Sequence, residues 1–135
     1  MQKINAWTRS RRTRESAQPL KPVVDPAEWC PEEYRDSEQW IYRLSDAEIA
    51  EIDEAVAGVE ERGLDIKDIR RESFPLLAFS GVLAEIRKEL LDGRGFVLVR
   101  GLPLESMTRV QMAAAFWGLG TYLGEAVSQN SRGHL

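Results

Sequence analysis

Phe96, Val97, Leu98 and Val99 form an unbroken apolar run between Gly95 and Gly101, within the stretch LLDGRGFVLVRGLP. Successive side chains of a strand point to opposite faces, so Phe96 and Leu98 face one way and Val97 and Val99 the other. A segment apolar on both faces is normally covered on both, as in a sandwich or a helix-covered sheet. Burying side chains of this size contributes roughly 1.5–3 kcal/mol each. Leaving one face wet forfeits several kcal/mol, a large share of the ~5–15 kcal/mol that holds an ordinary domain together.

The rest of the chain supplies cover for one face. WIYRLS alternates, with Trp40, Tyr42 and Leu44 on one side, and predicts a strand over about 40–44. Ser45 and Glu48 match a capping box, and Ile49, Ile52, Val56 and Val59 recur at helical spacing up to Gly63, predicting a helix over about 46–62. Pro75 limits how early a second helix begins. Val82, Leu83, Ile86 and Leu90 mark its buried stripe over about 78–92, and Gly93 ends it. The apolar run is the strand at about 95–100. Thr108 and Gln111 open a third helix, about 108–123, with Met112, Phe116, Leu119 and Leu123 lining one side and Ala113, Ala114 and Ala115 allowing close approach. EAVSQN is read as a last short strand, about 126–130.

This is an α+β pattern. Its three helices can cover one face of the 95–100 strand, and the other strands lie beside it. The second face is left to a partner, to further polypeptide after Leu135, or to a third helix that wraps round.

A chain of 135 residues, 43% hydrophobic and 30% charged, fits one soluble globular domain. No apolar run approaches the ~20 residues that span a bilayer, so no membrane association is expected. The single cysteine, Cys30, excludes an intramolecular disulfide and fits a reducing, cytoplasmic setting. Charge is uneven. Residues 1 to 22 carry six Lys or Arg and one Glu, and the remainder twelve basic and twenty-one acidic residues. Residues 1–26, with Pro19, Pro22 and Pro26, read as a disordered basic tail and 27–135 as the folded part. An Arg-rich, acid-poor start is also what organellar transit peptides have. The acidic body repels phosphate backbones, and Trp7 alone is too little for base stacking in the tail, so nucleic-acid binding is not expected.

Common site patterns fail. Gly93 and Gly95 begin a Gly-x-Gly, but the third glycine of a dinucleotide fingerprint is replaced by Leu98. Gly118, Gly120 and Gly124 fall at a helix end, where glycines serve packing and capping. The acidic run Glu48, Glu51, Glu54, Glu60 and Glu61 is a solvated helix face. His134 is the only histidine, and with Cys30 far away no ordinary zinc or non-haem iron ligand set can be built. No Gly-x-Ser-x-Gly elbow is present. No catalytic or metal-ligating residue is assigned.

Three stretches taken together, WIYRLSDAEIAEIDEAV, LAEIRKELLDGRGFVLVRGLPLE and AAAFWGLGTYLGEAVSQNSRGHL, resemble the N-terminal portion of the TauD/TfdA-like dioxygenases of the clavaminate-synthase-like superfamily. The likeness covers about residues 40–135. It implies the N-terminal part of a double-stranded β-helix, or jelly roll, in which the 95–100 strand is an early member of a sheet and its bare face meets strands encoded later. It implies an oxidoreductase that uses Fe(II) and 2-oxoglutarate to hydroxylate a small organic substrate. In the family a His-x-Asp (or Glu) pair and a distal His hold iron, and an Arg binds 2-oxoglutarate. None of these maps onto this sequence, because His134 is followed by Leu135. The expectation is a truncated N-terminal segment, inactive alone and binding neither cofactor, with Gln129 and Asn130 as candidate substrate contacts. The alternative is a standalone α/β interaction domain that self-associates through the bare strand face.

Overall fold

In a computed structural model, which describes residues 5–134, the elements run α1 (Pro31–Tyr34), β1 (Ile41–Arg43), α2 (Asp46–Glu61), α3 (Phe79–Asp92), β2 (Leu98–Arg100) and α4 (Arg109–Leu123). Short 3-10 turns lie at Ile66–Asp68, Arg71–Ser73 and Leu104–Ser106. The chain divides into two compact units. One holds the described residues up to Leu44 with Glu85–Gly101; the other holds Ser45–Ala84 and the described residues from Leu102 on.

The first unit contains the sheet. β1 and β2 are parallel, with Ile41 opposite Leu98, Tyr42 opposite Val99 and Arg43 opposite Arg100. The ladder is extended by the Leu98 N–H donating to Trp40 O at 3.0 Å and the Leu44 N–H to Arg100 O at 2.8 Å. Both strands are shorter than the sequence pattern predicts. Gly101, at φ 113°, turns the chain out of β2 beside Leu44, where left-handed backbone favours glycine. Just before β2, Phe96 packs edge-on against Trp29, Tyr34 and Trp40, with centroids 4.9, 5.3 and 5.9 Å away. Aromatic side chains from the stretch before β1, Tyr34 of the short helix α1 among them, therefore supply cover there. Phe96, Val97, Leu98 and Val99 all remain only half-buried.

The segment expected as a free basic tail has no helix or strand in its described part, yet it is hydrogen-bonded. The Thr8 N–H donates to Gln39 O and the Glu15 N–H to Val24 O, both at 3.0 Å, and Arg14 Nε reaches Asp25 at 2.5 Å.

In the second unit the predicted caps form. Ser45 Oγ accepts from the Glu48 N–H at 3.3 Å while the Glu48 carboxylate accepts from the Ser45 N–H at 2.8 Å; Thr108 and Gln111 do the same at 3.2 and 2.9 Å. Ile52, Ala55, Val56 and Val59 are the buried face of α2. The link after α2, polar in composition, nevertheless delivers Ile69 and Phe74 to the interior, both fully buried.

Two expectations are corrected. The first concerns α4. Its buried face is Ala114, Ala115 and Gly118, while Phe116 is 78% exposed. The cause is closeness: a Cβ on Gly118 would lie 2.5 Å from the Phe74 ring, so the helix must turn its smallest residues inward. The second concerns residues 126–130, which form no strand. Gly124 leaves α4 in extended backbone, and no neighbouring strand pairs with the residues that follow.

Candidate functional site

The most organised polar group of the first unit grows from the turn DGRGF. The N–H groups of Gly93 and Gly95 both donate to Glu89 O at 3.1 Å, closing α3 and folding Arg94 back on it. Arg94 Nε donates to Glu89 Oε1 at 2.7 Å, and the Arg94 backbone N–H donates to the same oxygen at 3.0 Å. Arg94 Nη1 donates to Gln39 O at 2.9 Å, Nη2 donates to Thr8 O, and the guanidinium lies 5.4 Å from the centre of the Tyr34 ring. The second Glu89 oxygen accepts the Ser10 N–H at 2.9 Å. Glu89 is 0% exposed and Arg94 1%. Burial by itself raises the Glu89 carboxyl, but the N–H groups of Arg94 and Ser10 and the guanidinium outweigh it, and the net shift is downward. A pair satisfied this completely has no valence left for a ligand. It ties three stretches of chain together.

The sheet edges differ. On the outer side of β1, Asn5 Nδ2 donates to Arg43 O at 3.3 Å and Asn5 Oδ1 accepts the Arg43 N–H at 3.5 Å. Trp7 stands edge-on to Tyr42 at 5.9 Å. On the outer side of β2, no hydrogen bond reaches the backbone of Val97 or Val99 among the described residues.

Gln129 and Asn130 are exposed and belong to a turn closed on itself. The Gln129 N–H donates to His134 O at 2.6 Å, Asn130 Oδ1 accepts the Arg132 N–H at 2.9 Å, and Asn130 Nδ2 lies 2.8 Å from His134 Nδ1. The turn brings the two candidates to His134, and their hydrogen bonds stay within residues 127–134. Among the described residues no three His, Cys, Asp or Glu side chains converge to hold a metal ion. Cys30 is exposed, and no described helix is long and apolar enough to cross a membrane.

Three positioning residues escaped the sequence reading. Glu89 and Arg94 are five apart, a spacing that belongs to no helical pair. Tyr122 in the last turn of α4 donates its hydroxyl to Phe74 O at 2.8 Å and accepts the Leu76 N–H at 3.1 Å.

No family model matches the chain. It is 34% identical over 113 residues to FR-33289 synthase of Streptomyces rubellomurinus, an alignment covering 84% of this chain and 33% of that protein. It is 25% identical over 100 residues to a taurine hydroxylase-like protein of Stachybotrys chartarum, covering 74% of this chain and 26% of that one. The chain thus spans a third or less of the length of these curated relatives.

Proposed function

We propose that this chain is the N-terminal scaffold segment of an oxidoreductase of the TauD/TfdA-like class, an Fe(II)- and 2-oxoglutarate-dependent dioxygenase that hydroxylates a small organic substrate in a cytoplasmic setting. The observation that carries this reading is the 34% identity to FR-33289 synthase across 84% of the chain. The taurine hydroxylase-like relative and the half-buried apolar run ahead of Arg100 support it.

Iron of this class needs two imidazoles and a carboxylate. The chain has one histidine, exposed and bonded to an amide, so its residues do not fit the metal and no chemical step is assigned to them. Its contribution is the strand and the helices on which a catalytic part is built. Gln129 and Asn130 remain the candidate substrate contacts.

The test is a chimera of FR-33289 synthase in which the matched segment is exchanged for this chain. Iron-dependent 2-oxoglutarate decarboxylation by the chimera, with none by the chain alone above an iron-only control, is expected. A folded but inactive chimera, or turnover by the chain alone, overturns the reading. The half-buried apolar run also favours a second reading, an interaction domain that self-associates; a defined dimer in light scattering is its signature.

A further inference from the structure

Residues 5–14 lie on the first unit as an arm with neither helix nor strand of its own. Charge and main chain hold it. Arg9 reaches Glu85 at 3.2 Å, Arg12 reaches Glu33 at 2.6 Å, and Arg14 reaches Asp25 at 2.5 Å and Leu91 O at 3.2 Å. The Thr8 N–H bonds Gln39 O, Asn5 bonds both backbone groups of Arg43, and Trp7 stands against Tyr42. Without an arm, the buried Glu89 and Arg94 each lose a backbone partner, the Ser10 N–H and Thr8 O. Each of these contacts joins the arm to a residue beyond position 23. The arm of another copy would make them equally well.

What assigns the arm to its own copy is the connector, residues 16–23, and every residue of it is exposed. The chain reverses there through a turn in which the Lys21 N–H donates to Gln18 O at 3.2 Å. Leu20 sits in that turn at φ 61°, the one non-glycine residue at positive φ among the described residues, with its side chain wholly in solvent. A bulky side chain in left-handed backbone is strained, and no packing offsets the strain here. Pro22 drives Lys21 toward extended backbone, against the reversal. Straightened, the connector relaxes Leu20 and carries the arm about 25 Å away.

We propose that this chain exchanges arms: residues 5–14 of one copy dock on the first unit of a second copy, and the reverse, giving a swapped dimer with residues 16–23 as the opened hinge. Closed monomer and dimer share the arm contacts and differ in the hinge, which is what makes exchange inexpensive. A short hinge under strain favours the open form, once in each copy. The docking surface is the arm's own seat, not the apolar strand, and the proposal does not depend on the dioxygenase reading.

The experiment uses the full chain carrying Arg9→Lys, which keeps the charge and adds an amine that a zero-length carbodiimide can join to Glu85. Equal amounts of unlabelled and heavy-nitrogen-labelled chain are unfolded, mixed, refolded at high concentration and separated by size with light scattering. A dimer fraction is expected in which about half of the arm-to-Glu85 links join a light to a heavy chain, as random pairing of swapped copies gives. The monomer fraction should give same-isotope links only. Leu20→Gly, in the chain with Arg9 intact, relaxes the closed turn and should raise the dimer dissociation constant about tenfold or more. A folded chain that stays monomeric overturns the proposal. So does a dimer without mixed links, which is joined by another surface such as the strand face, and so does a dissociation constant that Leu20→Gly leaves unchanged.

Discussion

Arg94 and Glu89 form a buried ion pair, Nε to Oε1 at 2.7 Å, in which each partner also binds backbone from the N-terminal segment. The pair does the work of a small core. It replaces apolar contact with a charge network that joins residues 8 and 10, residue 39 and the end of α3.

Removing one partner strands the other in the interior. Arg94→Met should therefore destabilise the protein by about 3–5 kcal/mol, the usual cost of an uncompensated buried charge. The double variant Arg94→Met with Glu89→Leu should recover part of that loss. Urea denaturation of the two variants beside the unsubstituted protein measures both.

The same carboxylate sets an acid limit. Its folded pKa lies below the ordinary value because Arg94 and Ser10 donate to the charged form, against the opposing effect of burial. The stabilisation is fully present above the unfolded value of about 4.3 and is lost as pH falls through the folded one. Glu89→Gln should lower stability at neutral pH and flatten its decline below about pH 4.3, read by denaturant midpoints across an acid series.

Two glycines of α4 should respond with opposite signs. At Gly118 an added Cβ would meet the Phe74 ring at 2.5 Å, and Phe74 is fully buried, so Gly118→Ala should cost about 1–3 kcal/mol through overpacking. At Gly120 nothing lies within 4 Å, so Gly120→Ala should gain up to about 1 kcal/mol of helix propensity. Thermal melts of the single variants decide it.

Tyr122→Phe keeps the ring and deletes the hydroxyl that serves Phe74 O and the Leu76 N–H. Leaving those groups unpaired should cost about 1–3 kcal/mol. Arg71, which bonds Thr121 O and Tyr122 O at 3.0 and 2.9 Å, holds the same helix end. Faster amide exchange over residues 119–123 in Tyr122→Phe is the local readout.

Glu51 takes the place of an N-cap for α3, accepting the Ala78 and Phe79 N–H groups at 2.8 and 3.0 Å. Glu51→Ala should cost about 1 kcal/mol and Glu51→Gln less, since the amide keeps one acceptor. Chemical denaturation distinguishes them.

What could be seen in the sequence was what is encoded locally. The Ser45–Glu48 and Thr108–Gln111 boxes and the spacing in α2 place helix starts within a residue, because cap and partner lie in one turn. What could not be seen was long-range. Glu89 occupies a buried position on the α3 stripe only because Arg94 and the Ser10 N–H arrive to satisfy it. Ile69 and Phe74 are isolated apolar residues among charges, and nothing near them announces that both lie in the core. α4 is apolar nearly all round, so its pattern could not choose a side; Phe74 chooses it by contact with Gly118. For Gln129 and Asn130 the sequence offered only polarity after a helix, and the structure adds a turn they share with His134.

One consequence reaches into synthesis. Thr8 is held by an arginine 86 positions further on, and the residues between the two halves of that unit, Ser45–Ala84, belong to another. A ribosome making this chain emits the first half of the clasp long before its buckle, so the opening residues must wait in solution until nearly a hundred amino acids have emerged. Such distant closure is slow, and it makes the basic start of the chain a vulnerable place for a protease to strike during translation.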